Sequence, residues 1–113
     1  FRLLRERGVH VALNTGFDRE TTAYLLAGLG WGGGTVDAVV CGEDVARGRP
    51  APDLIFAAMR AAGVDDALHV AAVGDTCLDL RAGQAAGVGW NIGVLSGAHG
   101  QSILEGEAHT HLV

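Results

Sequence analysis

Short apolar runs alternate along this chain with segments of helical periodicity, and that alternation leaves few folds open. Residues 9–13, 36–41, 68–73 and 90–95 read as buried strands, with residues 111–113 opening a fifth. Asp18 is placed to cap a helix carrying Leu25, Leu26 and Leu29 and stopping at Gly30. Pro52 opens a second, whose Leu54, Ile55, Ala58, Met59 and Ala62 share a face before Gly63. Leu78, Ala82 and Ala85 mark a third helix ending at Gly87, and residues 1–7 and 101–106 complete the helical segments. Strands buried on both faces and separated by helices predict an α/β fold, a parallel sheet with flanking helices.

The 113 residues suffice for one domain, residues 1–113, and the 49% hydrophobic and 19% charged residues exclude a disordered chain. Eighteen glycines and as many alanines suit helices packed closely on a sheet. A net charge of −5 argues against nucleic acid or an anionic membrane as partner, and no apolar run reaches the roughly 18 residues of a membrane span. All eight basic residues are arginine, which removes a P-loop lysine, a Schiff-base lysine and a Ser–Lys pair from this chain. Cys41 and Cys77 form no metal-type cluster and no signal-peptide pattern opens the chain, so a reduced, cytoplasmic protein is expected.

Ligands in such sheets bind beyond the carboxyl ends of the strands, and three strand exits are polar. Asn14-Thr15-Gly16 offers a hydroxyl and a backbone N–H, suited either to a plain turn or to a phosphate oxygen. In Arg47-Gly48-Arg49-Pro50-Ala51-Pro52-Asp53, two prolines stiffen a loop whose guanidinium either faces solvent or offsets phosphoryl charge. Gly74-Asp75-Thr76-Cys77-Leu78-Asp79 carries two carboxylates four residues apart, able to share Mg²⁺ or to cap the next helix.

Taken in order, these segments resemble the haloacid dehalogenase superfamily of phosphohydrolases. The G-D-T-x-x-D-x-x-x-G match at residues 74–83 carries most of the likeness. The arginine in a G-R-P-x-P setting is similar to the phosphonatase-like branch, which implies a Rossmann-like core. The resemblance assigns Thr15 and the Gly16 N–H to a phosphoryl oxygen and Arg49 to charge on the nucleophile and phosphoryl group. It assigns Asp75 to Mg²⁺ and Asp79 to the metal site, positioning metal-bound water or a neighbouring group. The substrate it implies is a small phosphorylated or phosphonate metabolite, cleaved through an aspartyl-phosphate.

The family's first motif, Asp-x-Asp on a strand, occurs nowhere in these residues. The resemblance places that strand between the one ending at Asn14 and the one ending at Gly74, with a cap domain following it. The expectation is therefore the C-terminal portion of a hydrolase core, lacking the first-motif strand and the cap. By itself it should be inactive, its sheet completed by an N-terminal segment or by a homodimer partner.

Other patterns carry less. Gly28-x-Gly30-x-x-Gly33 follows a helix rather than a strand, so it cannot seat a pyrophosphate at a helix start. His109-x-His111 lacks a third ligand nearby, and Ser96 does not meet the nucleophile-elbow spacing. Cys77 sits at a helix start, where a thiol can be activated, although a small packing residue is the simpler role. A non-catalytic α/β phosphate-binding or interaction domain is the alternative, and a receiver-like version of it would need the lysine this chain lacks.

Overall fold

Strands and helices alternate in the expected order, and local capping explains where the helices begin and end. In the computed structural model, which describes residues 1–113 throughout, α1 spans Arg2–Glu6, β1 Ala12–Asn14, α2 Arg19–Gly28 and β2 Ala38–Val40. They are followed by α3 at Asp53–Ala62, β3 at Ala71–Gly74, α4 at Cys77–Ala86, β4 at Trp90–Gly93, α5 at Gln101–Leu104 and β5 at His111–Leu112. Asp18 caps α2 by accepting the Thr21 N–H at 2.7 Å, and Thr76 and Asp79 form a reciprocal capping box at the start of α4. Gly63 and Gly87 end α3 and α4 at φ 71°, a left-handed conformation that a residue with a Cβ adopts only at a cost.

Every strand pair is parallel, but the strands form two sheets. β1 pairs with β2, Ala12 opposite Ala38, and β4 lies between β3 and β5, with Ala71 opposite Trp90 and Ile92 opposite His111. β1 and β3 each keep an unpaired edge, where the resemblance places the first-motif strand. The helical layer spans the break: α3 packs on β1 and β2 and also against α4, which lies over β3 and β4.

Two apolar clusters hold this layer. Ile55, Met59, Ala82 and Ala86 join α3 to α4, and Val40, Leu54 and Ala58 join α3 to β2. Burying a side chain of this size stabilises a fold by roughly 1.5–3 kcal/mol, so α3, with four buried residues, is the anchor between the two sheets. No helix is long and apolar enough to cross a membrane, and both cysteines are free thiols.

The structure corrects several local expectations. Residues 67–69 form a 3-10 turn capped by Asp66, whose carboxylate takes the Leu68 N–H at 2.9 Å, so the third strand starts only at Ala71 and Leu68 is exposed. The buried face of α4 is Leu80, Ala82, Gly83 and Ala86 rather than Leu78, Ala82 and Ala85. Packed on β3, β4 and α3, the helix turns Leu80 inward and leaves Leu78 at its exposed start. On α2 only Thr22 is buried, while Leu25 and Leu29 are exposed. Pro52 stands one residue before α3, at its cap.

Candidate active site

Residues from the ends of β1 and β3 meet at one place, joined there by Arg49 from the loop before α3. The turn after β1 is held at both ends. The Thr15 N–H donates to the Val40 carbonyl at 3.0 Å, and the Gly42 N–H donates to the Phe17 carbonyl at 2.9 Å. Gly42 comes so close that a Cβ there would collide with the Gly16 carbonyl. Within the turn, Thr15 Oγ1 accepts the Phe17 N–H at 3.1 Å, while the Gly16 N–H donates to nothing in the chain. A fixed, unspent N–H beside a hydroxyl is a donor pair suited to an anion's oxygen.

Arg49 lies next to that turn, with Nη2 3.4 Å from where a Cβ on Gly16 would stand. Its Nη1 donates to Asp79 Oδ1 in an ion pair whose Arg49 and Asp79 side chains are 31% and 14% exposed. Arg47 is committed elsewhere: it donates to both carboxylate oxygens of Asp53, at 3.3 and 2.8 Å, tying the loop to the first turn of α3.

The turn after β3 is filled by a carboxylate of its own. Asp79 Oδ2 accepts the Asp75 N–H at 3.2 Å, the Thr76 N–H at 3.0 Å and the Thr76 hydroxyl at 2.7 Å. Burial works to raise the Asp79 carboxyl, but the hydrogen bonds from Arg49 and Thr76 and the Arg49 charge outweigh it and hold the group below its ordinary value. Gly74 permits this, because a Cβ there would overlap the Asp79 side chain. Asp75 faces the other way: Oδ2 accepts the Ala98 N–H at 2.7 Å, and Oδ1 accepts no hydrogen bond within the chain.

Arg49 thus joins Gly16, after β1, to Asp79, in the first turn of α4, with Thr15 and Asp75 at the same two strand exits. Mg²⁺ takes oxygen ligands, usually one or two carboxylates with the remainder water or substrate. Asp75, with an oxygen to spare, fits such a ligand. Both Asp79 oxygens are engaged, which suits it to fixing its neighbours, and no group of three acidic, His or Cys side chains gathers anywhere. His109 Nδ1 lies 2.7 Å from the Glu107 carbonyl, and His111 Nδ1 lies 3.1 Å from the neighbouring Thr110 hydroxyl, so neither His joins the cluster. Two contributions were not legible in advance: Gly42, which seats the Thr15–Gly16 turn, and residues 97–99, which contact Asp75. The only local signal for the second is glycine on both sides of Ala98 and His99 just past a strand end.

Beside the site, between β1 and β3, runs a narrow slot lined by Asn14, Arg49, Leu54, Val73, Gly74 and Asp79 among others. Val73, a strand residue, is 63% exposed.

The chain is similar to known proteins over most of its length. A family model described as haloacid dehalogenase-like hydrolase matches residues 1–87. A phosphonoacetaldehyde hydrolase from Latilactobacillus sakei is 39% identical over 85 residues, covering 75% of this chain and 32% of that protein. One from Bacillus cereus is 33% identical over 107 residues, covering 95% and 40%. The chain therefore spans about a third to two fifths of these curated relatives. Among solved structures, a phosphonoacetaldehyde hydrolase like protein from Oleispira antarctica superposes with a TM-score of 0.77 at 32% identity, over 84% of this chain and 34% of that one. A hydrolase from Pseudomonas syringae has the same fold, with a TM-score of 0.87 at 23% identity, over 98% of this chain and 50% of that one.

Proposed function

This chain belongs to the haloacid dehalogenase-like hydrolase family, within its phosphonatase-like branch, and from that premise we propose that it is the phosphate-binding and cation-binding portion of a Mg²⁺-dependent phosphohydrolase. The observation that carries the reading is the meeting of the unspent Gly16 N–H with the Arg49 guanidinium, itself paired with Asp79 just past the end of β3, where Asp75 keeps one oxygen free. The Thr15 hydroxyl and Gly16 N–H receive a phosphoryl oxygen. Arg49, held by Asp79, lies against the same group and offsets its charge in the transition state. Asp75 is the ligand this chain offers to Mg²⁺, which when bound supplies charge neutralisation at the phosphoryl oxygens.

The nucleophile in this reading is an aspartate on a strand outside residues 1–113. That strand enters the slot between β1 and β3, pairing with each at about 4.8 Å and covering Val73. Its carboxylate oxygen bonds to phosphorus as the leaving group departs. Water then cleaves the acyl phosphate, releasing orthophosphate and restoring the carboxylate. The substrate class is a small phosphate ester or phosphonate, and phosphonoacetaldehyde, on which the named relatives act, is the first compound to try. The segment carrying the strand precedes these residues in one longer chain, and the protein works in the cytoplasm.

The test is phosphate release by the complete protein from phosphonoacetaldehyde and from p-nitrophenyl phosphate, with Mg²⁺ and after chelation. The expected result is turnover that is lost when Mg²⁺ is chelated and falls about 100-fold or more in Arg49→Ala. The isolated 113 residues should show none, and turnover by that piece overturns the assignment of the nucleophile to another strand. Phosphate binding without hydrolysis by the complete protein would favour a non-catalytic phosphate-binding domain instead.

A further inference from the structure

The loop between β4 and α5 reaches back over the turn that carries Asp75, and three hydrogen bonds join them. The Ala98 N–H donates to Asp75 Oδ2 at 2.7 Å, the His99 N–H donates to the Asp75 carbonyl at 3.1 Å, and the Cys77 N–H donates to His99 Nδ1 at 3.1 Å. Gly97 lies directly on the carboxylate, where a Cβ would overlap the Asp75 Cβ, Cγ and Oδ2. The Asp75 side chain is thus oriented by a segment some twenty residues further along the chain, and one oxygen is left free.

We propose that His99 is a positioning residue for Asp75, anchoring the loop that sets the carboxylate for a divalent cation. The proposal rests on the reading of Asp75 as a cation ligand. The Cys77 N–H is one of the donors a helix start leaves unpaired, and His99 supplies its acceptor. Accepting at Nδ1 requires the imidazole to carry no proton there. With the ring pinned to the start of α4, the Ala98 N–H is presented to Oδ2 and Asp75 is held in one orientation. Removing the ring loosens one of the three ties, and ordering the carboxylate then has to accompany cation binding. Changes of this kind behind a metal ligand weaken metal affinity about 10-fold to 100-fold.

The experiment measures Mg²⁺ binding by isothermal titration calorimetry on the complete protein. Its variants are Asp75→Asn, His99→Ala, His99→Asn and Gly97→Ala, and the Mg²⁺ dependence of turnover is recorded alongside. Asp75→Asn should abolish binding. His99→Ala should weaken it about 10-fold while kcat at saturating Mg²⁺ stays within about twofold. His99→Asn, whose side-chain carbonyl can accept the Cys77 N–H, should recover most of the loss. Gly97→Ala, which keeps the imidazole but crowds the carboxylate, should also lose affinity. Unchanged affinity in His99→Ala overturns the proposal alone, as does His99→Asn behaving no better than alanine. If Asp75→Asn keeps full affinity, the cation-ligand reading fails and this proposal with it.

Discussion

The turn after β1 and the turn after β3 share a design, strand into helix, but are completed in opposite ways. After β1 the Gly16 N–H is left unspent, and the cap of α2, Asp18, stands a few residues further on. After β3 the chain spends its donors on itself, because Asp79 takes the N–H groups of Asp75 and Thr76. The first turn can therefore receive an anion, whereas the second presents carboxylates, one of them paired with Arg49. A helix start is commonly read as an anion site, but at the second of these turns the chain has already filled the donors with its own carboxylate. The helices behind the turns differ as well. α4 buries four residues, and α2 buries one.

Substitutions can break that comparison. Leu80, 1% exposed, should cost about 3 kcal/mol when truncated to alanine, read from urea unfolding of the complete protein. Leu29→Ala on α2, a site 57% exposed, should cost about 0.5 kcal/mol or less. Equal costs would mean that α2 is as well packed as α4 in the complete protein.

Asp79→Asn should come next, at about 2 kcal/mol, since it removes a carboxylate that accepts charge-assisted hydrogen bonds. Its pH dependence has a definite sign. The folded carboxyl titrates below its ordinary value of 3.8, so its stabilisation is fully present above that value and is lost as pH falls through the folded pKa. The gap between wild type and Asp79→Asn should hold at neutral pH and close only in acid; a gap that widens in acid would contradict the ion pair. The smallest of the capping effects is expected for Asp18→Ala, a modest lowering of the urea midpoint, because this cap lies at the surface.

Much of the architecture was legible in the residues because caps and apolar spacing are local. Asp18, Gly63 and Gly87 act where their neighbours in sequence say they should, and the face of α3 is the one its spacing marks. The face of α4 is not legible in this way because Leu78 and Leu80 are equally apolar, and only packing on the sheet and on α3 selects Leu80. The start of the third strand is not legible either, because Leu68-His69-Val70 looks strand-like while Asp66 caps residues 67–69 as a turn. Within the site, Thr15, Gly16, Arg49, Asp75 and Asp79 were each visible as strand-exit residues. The grip of residues 97–99 on Asp75 was not, since a backbone N–H leaves no mark on residue identity and the contact spans more than twenty positions.

The glycines that admit these contacts carry a consequence for the protein's tolerance of change. At residues 42, 74 and 97 a single methyl group would strike the Gly16 carbonyl, Asp79 or Asp75, whereas at residues 28, 32, 33 and 48 it would meet nothing within 4 Å. In a library of random substitutions, the first three positions should behave as though they held reactive groups, although none of them carries a functional atom of its own. Gly83 and Gly89 would be as intolerant, since a methyl group there would strike Asn91 and Leu68, so the fold excludes side chains from its closest packing and from the site by the same means.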